Sequence, residues 1–397
     1  MPDSISKVHG QQADHGGPVI PVAIPSLNPS LTSFSDGIAE RQEHGLVVLS
    51  PSRTRPIRRV LFVNCYGGKA CWEKIKRGLL PPHHLWGCLE LVRMGYEVAL
   101  AEPLADLWVL MRRPSLHDLK LLRIALSWLG RDGILYCGHN FLYFIPLLRV
   151  LGVVRCHIVS LFYGREPLAF ARAHSGIIAI NGAAAEHARK VAPRAKVAHL
   201  GWGVDLDFFP RLAYKPQWFL SCGITCRDFA TLSAAASRTR QPIRVICPEL
   251  PVGLTWPSNV DLVDGGSGWN TDDKKVTYEG LLHSHYAHSS GSLIILENDP
   301  TELTGCGFTN LIEAMAMARP VIVTRTGALP TEIDVEEAGC GLFVPPEDPE
   351  ALAHAIDSLG NDPIRAEAMG RRGRKLAEKS YNIERYARDL HNFFESL

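Results

Sequence analysis

Short, uninterrupted apolar runs constrain the fold of this chain more than any other feature. Arg59-Val60-Leu61-Phe62-Val63-Asn64 is the first, and similar runs return at Gly95–Leu100, Ile134–Cys137, Ile158–Leu161 and Gly176–Ile180. A strand with one wet face alternates apolar and polar residues, whereas an unalternated run is covered on both faces, as in a parallel sheet flanked by helices. Helical apolar spacing over Leu85–Met94, with Gly95 as its C-cap, fits that alternation. The expected class is therefore α/β with parallel sheets. Ligands bind such sheets beyond the carboxyl ends of the strands. That rule selects Asn64, Gly67, Gly68, His139, Asn140, Tyr163, Arg165, Glu166 and Asn181 as candidate site residues. At 397 residues the chain exceeds a single typical core and suits two domains.

Composition narrows the function. A net charge of +1 offers no electrostatic argument for nucleic acid. Ten cysteines are scattered without CxxC pairs or Cys/His ligand spacing, which points to reduced thiols, a cytoplasmic setting and no metal. Met1–Ser30 is polar and lacks the apolar core of a secretory signal, so residues 1–50 are expected to form a disordered or irregular arm. The apolar stretch Ile134–Gly164 is interrupted by Gly138, His139, Asn140, Arg149 and Arg155, and reads as strand, helix and strand rather than a membrane span. Trp72, Lys74, Lys76, Arg77, Leu79 and Leu80 suggest either a membrane-surface patch, and hence a peripheral location, or an ordinary solvated helix face.

The most informative segment chemically is Cys306–Gly327, CGFTNLIEAMAMARPVIVTRTG. A glycine turn at Gly307 precedes a helix beginning near Thr309 and Asn310, and a Pro-led apolar strand follows. The free amides of a first helical turn and the positive dipole end form an anion site. Glu313, one turn further in, would repel a bare phosphate but can accept two hydroxyl hydrogen bonds, so a ribose beside a diphosphate suits the spacing. The plainer alternative is an ordinary helix cap with a solvated acid. Gly67-Gly68 lacks the GxGxxG pattern and a ribose-binding acid about twenty residues on, which disfavours a dehydrogenase-type site.

The run Leu311-Ile312-Glu313-Ala314-Met315-Ala316 followed by Pro320-Val321-Ile322 resembles the donor-site segment of the retaining glycosyltransferases of family 4. Gly201-Trp202-Gly203-Val204-Asp205 with Phe208-Phe209-Pro210 is similar to that family's interdomain segment. The resemblance implies a GT-B fold: two Rossmann-like domains with parallel sheets facing an interdomain cleft. It divides the chain into an acceptor-side domain over residues 51–207, a donor domain over 208–380 and a helix over 381–397 that returns to the first domain. It also implies a retaining, metal-independent transferase acting between a nucleotide diphosphate sugar and a hydroxyl acceptor, of which lipid-linked and polysaccharide acceptors are the family-level expectation, with no cofactor beyond that co-substrate.

Residue by residue, the resemblance assigns donor binding to Gly67, Gly68, Gly223, Arg227, Val276, Gly307, Thr309, Asn310, Leu311 and Glu313. Arg227 would neutralise the leaving diphosphate, or else lie on the surface paired with Asp228, and His139 or Glu166 would contact the acceptor. Two departures stand out. Ile224 occupies the place of an expected cation, and the first acid of the family's E-x7-E pattern, eight positions before Glu313, is Gly305. Phe162-Tyr163-Gly164 likewise replaces an expected histidine. A sugar-nucleotide epimerase or hydrolase, or a degenerate nucleotide-sugar-binding protein, are the alternative readings.

Overall fold

The computed structural model of the chain describes residues 36–64, 67–101, 119, 121–138, 145–163, 173–223, 225–247, 253–265, 276, 278–299, 303 and 305–397. Its strands form two sheets. The first contains β1 (Ile38–Glu43), β2 (Leu46–Pro51), β3 (Arg59–Val63), β4 (Glu97–Leu100), β5 (Ile134–Cys137), β6 (His157–Phe162), β7 (Gly176–Ala179) and β8 (Lys196–His199) in the order β1-β2-β4-β3-β5-β6-β7-β8. From β4 to β8 every pairing is parallel. The second contains β9 (Trp218–Cys222), β10 (Ile243–Cys247), β11 (Val260–Asp264), β12 (Ser289–Ile294), β13 (Val321–Thr324) and β14 (Gly341–Val344) in the order β11-β10-β9-β12-β13-β14, parallel throughout. The architecture is GT-B.

Burial explains the unalternated runs. Val60 and Phe62 point into a core shared with Leu311, Ile312 and Phe209 of the second half, while Leu61 and Val63 pack with Ile124 and Trp128 on the opposite face. The main core is thus continuous between the sheets. Ile145–Val150 is the expected helix between β5 and β6.

Three expectations need correction. The expected irregular arm over residues 1–50 already contains β1 and β2 from Ile38 onward, an antiparallel hairpin turned by His44 (φ 52°) and Gly45 (φ 78°). Both central residues at positive φ match the right-handed twist of paired strands, and Leu46-Val47-Val48-Leu49 is buried beside β4. The helix expected over Leu85–Met94 is a 3-10 turn, Pro82–Leu85, and a helix, Cys88–Arg93, separated by Trp86 and Gly87 in left-handed conformations. That break brings Trp86 flat onto Trp202 at 4.4 Å. Finally, Trp72 and Leu80 are buried, so the suggested membrane-surface patch has two of its three apolar members in the core. The Trp72 indole donates to Glu40 Oε2 (2.8 Å), which also pairs with Lys76. Among the described residues no helix is long and apolar enough to cross a membrane.

The halves are joined where the chain passes twice. Val204 and Asn382 form a parallel bridge, with the Val204 amide donating to Tyr381 O (2.8 Å) and the Ile383 amide to Val204 O (3.0 Å). The helix Ile383–Glu395 then lies on the first half: the Tyr386 and Tyr136 hydroxyls are 2.8 Å apart, and the Tyr96 hydroxyl donates to Glu395 (3.0 Å). Gly203 is required by this crossing and not by its own φ, since a Cβ there would meet the Asn382 carbonyl carbon at 2.6 Å. Gly201 is the glycine with positive φ (62°). Gly203→Ala should therefore destabilise the protein by about 1–3 kcal/mol, as backbone overpacking does. Gly182→Ala, where an added Cβ meets nothing within 4 Å, is the control. Equal thermal midpoints for the two variants would contradict this account of the crossing.

Candidate functional site

The loop after β9 and the start of the Phe308–Ala316 helix meet at Arg227. Its guanidinium is 7% exposed and donates to Thr225 O (2.8 Å), Cys222 O (3.3 Å) and the Asn310 side-chain oxygen, while Nε has no partner among the described residues. Burial lowers its pKa from the usual arginine value. An arginine so placed still carries its charge, because its intrinsic pKa lies far above neutrality. Gly223 makes the arrangement possible: its φ is 111°, and a Cβ would meet Arg227 Nη2 at 2.5 Å and Asn310 Oδ1 at 2.8 Å. Pairing of Arg227 with Asp228 is not what the structure has. The Asp228 carboxylate accepts from the Thr231 amide (2.8 Å) and caps the Phe229–Ala236 helix.

Gly307 is the N-cap of the Phe308–Ala316 helix, at φ 81° and without a capping side chain. The Phe308 amide donates to Gly305 O and the Leu311 amide to Gly307 O. Thr309 and Asn310 lie between these two, in the first turn, both partly exposed, where amides lack intrahelical acceptors. Leu311 itself is fully buried in the core and its amide belongs to the helix. Cation and helix terminus thus converge, tied together by Asn310.

Glu313 is not solvated. It is 1% exposed, and its carboxyl faces His83 Nε2 of the first half at 3.7 Å. Burial pushes Glu313 up to about 8 and drives His83 well below its ordinary value, with His84 adding to the latter shift. Near neutrality both are therefore uncharged, and the contact is not a salt bridge. His83 Nδ1 accepts from the Asp205 amide (3.2 Å), which puts the ring proton on Nε2, toward Glu313 Oε1. Among the described residues neither His83 Nε2 nor Glu313 Oε1 has a hydrogen-bond partner. His84 Nε2 lies 2.8 Å from the Tyr278 hydroxyl, and ligand atoms of His83, His84 and Glu313 fall within 4.8 Å of one another, a set able to hold a metal ion. Sequence reasoning missed both histidines. The Pro81-Pro82-His83-His84 run was the available signal.

The remaining candidates divide. Gly68 opens the Gly68–Lys76 helix close to the sheet, where a Cβ would meet Leu100 Cβ at 3.0 Å, and Gly67 is its N-cap; the close approach here is to the chain's own backbone. Val276 packs against the main core. Gly305 abuts the first half, with an added Cβ 2.6 Å from Ile180 Cδ1, and the Asn181 amide group donates to Leu303 O (3.1 Å). His139, Asn140, Arg165, Glu166 and Ile224 lie outside the described residues.

Comparison with known proteins bears on the fold and on the segment from Cys306 onward. Residues 306–376 match the family described as glycosyl transferases group 1. A search of curated proteins finds no match. Among solved structures, the chain is similar to a sucrose-phosphate synthase from Thermosynechococcus elongatus, with TM-score 0.60, 15% identity, and 86% of this chain and 99% of that one covered. It is similar to an α,α-trehalose-phosphate synthase (UDP-forming) from Burkholderia vietnamiensis, with TM-score 0.61, 11% identity and coverage of 87% and 100%. A third is Anabaena HepE in complex with UDP and glucose, with TM-score 0.57, 14% identity and coverage of 86% and 100%. At these identities the likeness establishes the GT-B fold.

The buried Glu313 has a measurable consequence. A carboxyl whose pKa rises from 4.5 to about 8 on folding stabilises the fold while protonated, and this contribution is lost as pH rises across that window. His83 acts oppositely, but only below 6.5, where the unfolded histidine takes up a proton that the folded one refuses. Glu90, raised to about 7, and Asp205, raised to about 6, add to the fall at lower pH. Between pH 6.5 and 8 Glu313 therefore dominates, costing on the order of 2 kcal/mol. Denaturant unfolding across that range should show stability falling in the native chain and much less in Glu313→Gln; parallel slopes would exclude the assignment.

Proposed function

We propose that the chain is a glycosyltransferase that moves a sugar from a nucleoside diphosphate sugar to a hydroxyl acceptor. The observation that carries this reading is the buried Arg227, one guanidinium nitrogen unpartnered, held by Asn310 against a helix N-terminus. Negative charge grows on the diphosphate as the bond from the sugar carbon to its oxygen breaks. A fixed cation and two helix-terminal amides, those of Thr309 and Asn310, meet that charge without reorganising. The sugar carbon, left electron-poor, takes the acceptor hydroxyl oxygen, whose proton is released. Leu311 contributes packing, Gly223 makes room for Arg227 and Asn310 to meet, and Gly307 opens the helix whose amides face the diphosphate.

Glu313 in its neutral form can donate and accept, which suits a ribose diol once the halves part enough to free it from His83. Gly67, Gly68 and Val276 border the donor side, and His139 or Glu166 is assigned to the acceptor. Support for retention is the resemblance of the Leu311–Ala316 segment to family 4. The sugars and nucleotides named for the similar structures, UDP and glucose among them, make UDP-glucose the first donor to try.

The donor reading is metal-independent, since Arg227 and the helix amides supply the positive charge. Arg227→Ala should lower turnover roughly 10²–10³-fold, as removal of a fixed electrostatic donor does. It should also abolish thermal stabilisation by nucleoside diphosphates. Arg227→Lys should recover little, lacking the planar fork that Asn310 and the Cys222 and Thr225 carbonyls hold. Loss of the sugar nucleotide without acceptor would instead indicate a hydrolase. Activity abolished by a chelator and restored by a divalent ion would transfer the role to His83, His84 and Glu313.

A further inference from the structure

We infer that Cys226 and Cys306 are a dithiol–disulfide pair, a reversible oxidative modification site where the loop after β9 meets the glycine turn before the Phe308–Ala316 helix. Cys306 Sγ donates to Cys226 Sγ at 3.0 Å across 80 residues of sequence. A disulfide needs the sulfurs only ~1 Å nearer. The two chain segments are already tied beside this point: Arg227 donates to the Asn310 side-chain oxygen, and the Asn310 amide group donates to Cys222 Sγ (3.4 Å). The bond therefore requires side-chain rotation and no change of fold.

Accessibility separates this pair from the other cysteines among the described residues. Cys71, Cys88, Cys137, Cys156, Cys222, Cys247 and Cys340 are buried, whereas Cys226 and Cys306 are both partly exposed. Burial also pushes Cys156, Cys222 and Cys340 up to about 11, which keeps those thiols protonated. Cys226 sits at φ 54°, a conformation uncommon for a residue with a side chain, in the tight turn that aims its sulfur at Cys306.

With glutathione disulfide as oxidant, one cysteine thiolate attacks a glutathione sulfur, forms a mixed disulfide and expels one glutathione thiolate. The second protein thiolate then displaces the remaining glutathione and closes the bridge. Two protein thiols are oxidised, one glutathione disulfide is reduced to two glutathiones, and both thiol protons end on them. The inference adds to the donor-site reading and does not depend on it.

The test is peptide mapping of the full chain without reductant after incubation with glutathione disulfide, alongside Cys226→Ser, Cys306→Ser and Cys247→Ser. The expected result is a single linkage joining the Cys226 and Cys306 peptides, present in the native chain and Cys247→Ser, reversed by dithiothreitol. Each of the other two variants should instead retain a glutathione adduct on its remaining cysteine. The oxidised native chain should also melt at a higher temperature than the reduced one, because the bridge closes a long loop in the unfolded state. Two persistent free thiols, stable glutathione adducts on both cysteines of the native chain, or linkage to any other cysteine would overturn the inference, as would a lower melting temperature on oxidation. None of these readouts involves a sugar nucleotide, so their failure is distinct from failure of the proposed function.

Discussion

The pairing of two backbone segments between the sheets is the constraint on which the rest of the molecule depends. Val204 and Asn382 lie side by side, and Gly203 is bare because the Asn382 carbonyl occupies the space a side chain would need. Around that contact, Arg385 donates to the carbonyls of Leu200 and Trp202, while Trp202 carries Trp86 on its face. The Asp205 amide, one residue beyond the bridge, donates to His83 and so fixes which ring nitrogen points at Glu313. A backbone crossing thereby orients a side chain in the cleft. Because covalent connection and hydrogen bonding coincide there, motion of one half relative to the other must pivot at this place, where φ and ψ changes in a few residues suffice.

The cleft itself carries polar groups that a stability-driven core would avoid. Arg227, Glu313 and His83 are almost wholly buried, and each retains an atom without a hydrogen-bond partner among the described residues. Such groups destabilise a fold, and they persist mainly where a ligand or a moving element completes them. Neutrality makes the burial tolerable for two of them. A charged Glu313 facing a neutral imidazole would be far more costly, and the upward shift of its pKa is the physical expression of that cost. Arg227 cannot relax in the same way, so its carbonyl and amide partners surround it. The donor loop is consequently shaped by its arginine.

Most of the fold was legible because unalternated apolar runs admit few arrangements. The strands beginning at Arg59, Glu97, Ile134, His157 and Gly176 fall within a residue or two of where the runs placed them. The β1–β2 hairpin was not legible, since the polar residues before it made the whole stretch resemble an arm, and only sheet pairing reveals that Leu46–Leu49 is covered. Site legibility followed a similar division. Gly223, Arg227, Gly307, Thr309 and Asn310, which the resemblance singled out, are brought together around one loop and one helix start. For Glu313 the sequence left a ribose-facing acid and a solvated one open, because its burial against His83, about 230 positions away in the chain, is a contact that no local pattern encodes. Cys226 and Cys306 were invisible as a pair for the same reason.

Gly305 shows how far a departure from a family pattern can be interpreted from structure. A deleted carboxylate would ordinarily leave a void or an unpaired donor. Here the place an added side chain would enter is taken by Ile180 Cδ1, and the nearby Asn181 amide group is satisfied by Leu303 O, while its oxygen caps the Gly182–Val191 helix. Two residues at the end of β7 therefore fill and pair what an acid at 305 would have occupied, and the glycine is a fitted part of the interface between the halves. An acid introduced at 305 would have to displace Ile180 before it could reach a sugar. On the proposed function the contacts that discriminate the sugar then arise from other positions between the halves, and the direct comparison is Gly305→Glu alone against Gly305→Glu with Ile180→Ala. If the missing acid alone limits donor choice, only the double variant should change the preferred sugar, because only there can the carboxylate enter the space that Ile180 holds.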